Sequence, residues 1–185
     1  MGILKKDFQY KIVKNFIQQR EVEIGLHYIL LMHKRNFNNF DQGQCKQAET
    51  VLTGDSFTDT LLMQKKGELE KLSGLQLLPT YAFSRVYNYD SVLEKHKDRP
   101  SCEVSISIMW GSDGTPWPLK MGKEEINMSP GDAVLYAGCD IEHSRNNFTG
   151  DYHVQTFLHY VDKNGPHTEW LFDKREPYDI PELQL

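Results

Sequence analysis

The chain has 185 residues and a mass of 21.5 kDa, with 39% hydrophobic residues, enough for one domain with its own core. Twenty-one Lys and Arg against 26 Asp and Glu leave a net charge of −5 with His neutral, and no apolar run approaches the roughly 18–20 residues of a membrane span, so neither generic nucleic-acid binding nor membrane insertion is expected. The three cysteines, Cys45, Cys102 and Cys139, have no CxxC spacing and make neither a disulfide framework nor a cysteine zinc site.

In chain order, Met1 to Lys6 carries charge but no apolar stretch, so no signal peptide is read and a cytoplasmic location is expected. The sequon Asn147-Phe148-Thr149 then has no meaning for glycosylation. Tyr10 to Ile17 is β-branched and aromatic, and reads as a strand. From about Gln18 to Arg35, Val22, Leu26, Ile29, Leu30 and His33 fall on one helical stripe. Asn36 to Gln44 reads as a polar loop. Gly54-Asp55-Ser56 offers a helix N-cap, with Ser56 and Asp59 spaced as an approximate capping box. The helix it starts runs from about Phe57 to Leu72, and Gly74 suits its stop.

After Leu78-Pro79 the periodicity changes to two. Thr80–Tyr89, Glu103–Trp110, Glu125–Met128, Ala133–Tyr136, Glu142–Arg145 and Tyr152–Val161 read as strands, with a turn at Pro130-Gly131-Asp132. Along Glu103–Trp110, Val104, Ile106, Ile108 and Trp110 share one face, while Ser105, Ser107 and Met109 form a more polar face suited to lining a cavity. His167–Phe172 reads as a last strand, followed by an extended tail containing Pro177 and Pro181. The expected fold class is α+β: an N-terminal strand and helices over about 1–78, a jelly-roll core over about 79–175, and the tail, all one domain spanning 1–185.

The chemistry concentrates at His96-Lys97-Asp98 and at His143. An HxD triplet alone is cheap, and His167-Thr168-Glu169 is a decoy of the same kind. Context separates them. In an extended segment His96 and Asp98 point the same way, between two strands, and His143 opens a later strand. Two imidazoles and one carboxylate on one side of a metal leave its other side open, as in the facial arrangement of non-haem iron(II).

Four runs carry a family resemblance. They are Tyr87-Asn88-Tyr89 with Leu93 through Glu103, Pro130-Gly131-Asp132-Ala133, Ile141-Glu142-His143-Ser144-Arg145, and Val154 through Tyr160. Together they resemble the 2-oxoglutarate/iron(II)-dependent oxygenases, in their prolyl-4-hydroxylase-like branch, over roughly Leu78 to Val161. The resemblance implies a double-stranded β-helix. It implies iron(II) held by His96, Asp98 and His143, with 2-oxoglutarate as co-substrate and ascorbate as an accessory reductant. It also implies hydroxylation of an aliphatic C–H, with succinate and CO2 as co-products. A prolyl residue of a peptide or protein leads as substrate, ahead of a small molecule; oligomeric state is not legible. The family usually anchors the far carboxylate of 2-oxoglutarate with Arg or Lys about ten residues after the distal His. Here that residue is His153. Arg145 is the first substitute, His153 the second and Arg85 the third, with Tyr87 at a position where relatives offer a phenol hydroxyl. The missing basic residue leaves two alternatives: a cupin-like metal-binding module, or a metal enzyme that does not use 2-oxoglutarate.

Overall fold

The period-two half forms an antiparallel sheet that curls on itself. The computed structural model describes residues 9–35, 39–41 and 45–175, with the backbone alone described at 39–41 and 47–52. Its elements are β1 (Tyr10–Val13), α1 (Gln19–Lys34), β2 (Asn39–Asp41), β3 (Cys45–Thr53), α2 (Ser56–Ser73), β4 (Leu77–His96), β5 (Val104–Ser112), β6 (Leu119–Met121), β7 (Glu124–Ile126), β8 (Ala133–Tyr136), β9 (His143–Arg145) and β10 (Tyr152–Asp162). Strand order is β1-β8-β5-β10-β4-β9-β6-β7, with β3 paired to both β2 and β4. This is the jelly roll expected from the strand pattern.

The long strand β4 makes the curl. Its first part, Leu77 to Asn88, pairs with β10, while Leu93 and His96 pair with β9. Between them Asp90 takes φ 71°, and the bend is held by Asp90 N–H donating to the Phe148 carbonyl and Phe148 N–H donating to the Ser91 carbonyl. The sequence reading ends this strand at Tyr89. The strand instead continues through this bend to His96.

Alternation along β4, β5 and β10 separates two faces. Ala82, Val86, Ile106, Ile108, Trp110, Val154 and Leu158 face outward onto α1 and α2 and form the larger apolar core with Val22, Ile29, Leu62 and Leu69. Helix α1 can lie this close because of Gly25. A Cβ there would meet the Trp110 ring at 2.2 Å. The inward face carries a different chemistry, described below.

Four details differ from the sequence reading. Asp55, not Ser56, caps α2: its carboxylate accepts from the N–H groups of Phe57 and Thr58, and Gly74 ends the helix at φ 72°. Residues 39–41 of the expected loop form β2, hydrogen-bonded to β3, because the β4 edge offers unpaired backbone groups that β3 takes up. The three residues of β6 were too few to show a period. The expected strand at His167–Phe172 is instead an irregular 3-10 segment, Thr168–Lys174. Phe172, Asp173 and Lys174 all have positive φ, which no strand ladder accommodates. The tail expected after residue 175, and Met1 to Lys6, lie outside the described residues.

The Pro130-Gly131-Asp132 turn has a structural task. The carbonyl of Gly131 (φ 91°) accepts from Ile17 N–H. The Asp132 carboxylate accepts from Ser129 N–H at 2.9 Å, Asn15 N–H at 3.2 Å and Lys14 Nζ at 2.7 Å. Despite burial, these donors hold its pKa below the usual carboxylate range. The turn thereby ties the N-terminal strand to the barrel.

Candidate metal centre and the barrel interior

His96, the last residue of β4, and His143, the first of β9, are cross-strand partners, so the sheet itself sets their rings side by side, with centroids 4.3 Å apart. Asp98 follows two residues on and is pinned by its own N–H donating to the Gly138 carbonyl at 2.9 Å. Its Oδ1 lies 3.4 Å from His96 Nε2 and 3.5 Å from His143 Nε2. Each imidazole is oriented from behind. His96 Nδ1 lies 2.7 Å from the Glu94 carbonyl and His143 Nδ1 lies 3.1 Å from the Ile141 carbonyl. A carbonyl only accepts, so each Nδ1 carries a proton and Nε2 is the nitrogen turned toward Asp98. Three donor atoms of metal-ligand type thus converge. Cys102 and His159 also approach Asp98. The decoy at His167-Thr168-Glu169 is in no such group among the described residues.

Electrostatics agree with a pre-assembled cluster. Burial alone would raise the Asp98 pKa, but hydrogen bonding from His96 and the charges of His143, His159 and His96 lower it. Burial pulls His96 down, yet Asp98 and the Glu94 carbonyl outweigh it and leave it raised. His143 is lowered, chiefly by burial, against the pull of Asp98.

The cluster opens onto a cavity of about 60 Å3. Its wall is the inward face of β4 and β10: Tyr81, Phe83, Arg85 and Tyr87 opposite Gln155, Phe157 and His159, with Ser107 from β5. The Arg85 guanidinium lies over the Phe83 ring at 5.1 Å and the Tyr87 ring at 5.7 Å. Ser105 Oγ meets His159 Nδ1 at 2.8 Å, and burial pushes the His159 pKa down to about 4, so this ring is neutral. Tyr87 Oη, Ser107 Oγ, Gln155 Nε2 and His159 Nε2 are buried without a hydrogen-bond partner. Four orphan polar atoms around one cavity are costly unless a polar ligand meets them.

The four anchor candidates divide. Arg85 and Tyr87 line the cavity that holds His96, Asp98 and His143. Arg145 and His153 instead line a neighbouring cavity, behind the Trp117 ring. Ser107 lines the metal-side cavity as its alternation predicts, whereas Met109 lines the neighbouring one. Gln155 and His159 went unassigned in the sequence. Their signal was available, since both are two-residue steps along a strand whose inward face already holds Phe157.

No protein-family model matches the chain, and no curated protein sequence matches it. Solved structures do. A prolyl-4-hydroxylase from Pseudomonas putida aligns with a TM-score of 0.66 and 13% identity, over 85% of this chain and 94% of that one. The non-haem α-ketoglutarate-dependent epimerase SnoN of nogalamycin biosynthesis aligns with a TM-score of 0.68 and 12% identity, over 84% and 78%. HygX from Streptomyces hygroscopicus, with nickel, 2-oxoglutarate and hygromycin B bound, aligns with a TM-score of 0.68 and 10% identity, over 86% and 85%. The chain has the 2-oxoglutarate/iron(II) oxygenase fold. Within that oxygenase fold, the curled sheet and the bend in β4, which pairs its end with β9, are the features that bring His96, Asp98 and His143 together.

Proposed function

We propose that the protein is an iron(II)- and 2-oxoglutarate-dependent dioxygenase that hydroxylates an aliphatic C–H. The observation that carries this reading is the convergence of two carbonyl-oriented imidazoles and one carboxylate at the wall of a cavity lined by orphan polar atoms. The donor set suits non-haem iron. When bound, iron and 2-oxoglutarate together supply O2-dependent C–H oxidation, with succinate and CO2 as co-products.

The chain's own residues have distinct tasks in this reading. His96 and His143 present Nε2, and Asp98 presents a carboxylate oxygen, to the metal. Arg85 holds the far carboxylate of the co-substrate, with Tyr87, Ser107 and Gln155 as hydrogen-bond donors around it. Phe83 and Phe157 keep water from the cavity. Among the described residues no helix is long and apolar enough to cross a membrane. A prolyl residue of a peptide leads as substrate, with a small molecule next, and the whole chain is read as one domain.

The test is spectroscopic and then chemical. Anaerobic protein with iron(II) should develop a weak visible charge-transfer band on adding 2-oxoglutarate, and admitting O2 should release succinate. Asp98→Ala should lose both iron and band. Iron bound without the band would turn the reading toward a metal enzyme that does not use 2-oxoglutarate. Binding without any turnover across peptide and metabolite panels would leave a cupin-like module.

A further inference from the structure

We infer that Asp98, Cys102 and His159 form a second metal site, one that takes a thiolate-seeking divalent ion of the zinc type and shares its carboxylate with the iron(II) site proposed above. One ligand atom from each of the three lies within 4.8 Å of the other two. Cys102 and His159 are each only 3% exposed. Neither has a task in the proposed oxygenase chemistry. The fold brings the three together from separate elements. Asp98 lies two residues beyond β4, Cys102 ends the short 3-10 turn Pro100–Cys102, and His159 lies on β10 opposite Ser105 of β5.

The Asp98 carboxylate faces two ways. Its Oδ1 lies 3.4 and 3.5 Å from the Nε2 atoms of His96 and His143. Its Oδ2 lies 3.5 Å from Ser105 Oγ, which is 2.8 Å from His159 Nδ1. Ser105 also fixes the tautomer of that imidazole. Its hydroxyl has one hydrogen, and both the Cys102 carbonyl, at 3.0 Å, and Asp98 Oδ2 only accept. Ser105 Oγ therefore accepts from His159 Nδ1–H. The free lone pair is left on Nε2, which is buried with no hydrogen-bond partner among the described residues. Such an orphan is costly unless something meets it, and a metal ion does. Cys102 Sγ in turn lies 3.2 Å from Tyr81 Oη, a hydroxyl placed to donate to a sulfur ligand.

A thiolate, an imidazole and a carboxylate are zinc ligands, and three of them leave a fourth position for water. The sulfur separates this donor set from that of His96, Asp98 and His143, which suits iron. Binding is an exchange without change of oxidation state: the Cys102 S–H bond breaks, a sulfur–metal bond forms, and the proton leaves to the buffer. Two dications on one carboxylate repel each other, so an ion at Cys102 opposes iron at His96 and His143.

Cobalt(II) is the probe, because a sulfur ligand gives it a near-ultraviolet charge-transfer band that nitrogen and oxygen ligands do not. It is titrated anaerobically into the metal-free full chain. The wild type and His96→Ala should both develop the band saturably, and zinc(II) should abolish it. Cys102→Ser should lack the band while its circular dichroism stays that of the wild type, and His159→Gln should bind cobalt at least about tenfold more weakly. Saturating iron(II) should weaken band-forming cobalt binding at least about tenfold in the wild type and less than about twofold in His96→Ala. No sulfur band in the wild type would overturn the inference without any variant. So would a band that survives Cys102→Ser, which would assign the sulfur to Cys45 or Cys139, a band lost in a folded His96→Ala, or a wild-type band indifferent to iron. The band involves neither 2-oxoglutarate nor O2, so its failure and a failure of the oxygenase reading are told apart.

Discussion

Gly138 presses directly on the proposed carboxylate ligand, and Gly138→Ala measures how tightly that ligand is held. A Cβ at this position would lie 2.5 Å from Asp98 Oδ2, 3.1 Å from Asp98 Cβ and 2.3 Å from the Cys102 carbonyl oxygen. Ordinary contacts begin at 3.4 Å. The carboxylate and the Cys102 peptide must therefore each retreat by about 1 Å. Metal–ligand distances tolerate only about 0.2 Å. A ligand displaced by five times that amount should cost about 10- to 100-fold in iron affinity and about 100-fold in turnover. Overpacking adds roughly 1–3 kcal/mol of destabilisation. For a chain of this size, that lowers Tm by about 2–12 °C, so the variant should stay folded at room temperature. Anaerobic calorimetry with iron(II), beside a thermal melt and succinate release, separates the two effects. A folded Gly138→Ala protein with wild-type iron affinity would show that Asp98 is not the ligand its packing suggests.

Three further outcomes follow from particular contacts. Arg85→Gln should raise the KM for 2-oxoglutarate by about tenfold or more while iron(II) affinity stays within about twofold. An unchanged KM, in steady-state succinate assays, would move the anchor to Arg145. The folded-state pKa of Asp132 is depressed, so its stabilisation is complete above the unfolded value of about 3.9 and is lost as pH falls through the folded value. Urea denaturation between pH 5 and pH 2.5 should thus show a loss in the wild type that Asp132→Asn lacks, and parallel curves would remove Asp132 from the account. Gln155→Leu deletes a buried, unpartnered amide donor. It should stabilise the ligand-free protein by about 1 kcal/mol in the same denaturation assay, yet weaken 2-oxoglutarate binding. A destabilised variant would mean that Gln155 serves the fold.

What was legible in the sequence follows from the range of each signal. Period two is local, and so the bounds of β8 and the core of β5 and β10 could be read directly, as could the alternation that places Ser107 inward. Helix α1 shows its stripe for the same reason. Asp55 against Ser56 as cap could not be separated, because both side chains accept hydrogen bonds and only the backbone decides which one stands outside the helix. The β2–β3 hairpin depends on an open edge of β4, a tertiary fact with no local trace. The last segment fails for a related reason. His167–Phe172 has strand-like composition, but the Arg99–Asp173 ion pair at 2.8 Å and the left-handed run beside it draw the chain back toward β4. The metal triad was readable because HxD and the distal histidine are strand-end positions. Which cation shares its cavity was not. Arg85 and Arg145 both sit on inward-facing registers, and only the placement of Trp117 between them separates the two.

The two faces of the sheet divide the physical tasks. The outward face is packed with aliphatic groups and Trp110 against two helices, and this is where apolar burial stabilises the chain. The inward face holds Arg85, Arg145, His153, His159, Gln155 and Ser107, all under 9% exposed, in a space that leucine or valine would fill at less cost. Such an interior lowers stability, and a domain can carry it only because the outward core is extensive. Both compartments repeat one design: a buried guanidinium against aromatic rings, with orphan donors beside it. They differ in one respect. Among the described residues only the compartment bounded by His96, Asp98 and His143 also has a place for a metal, and that is why the chemistry is assigned there.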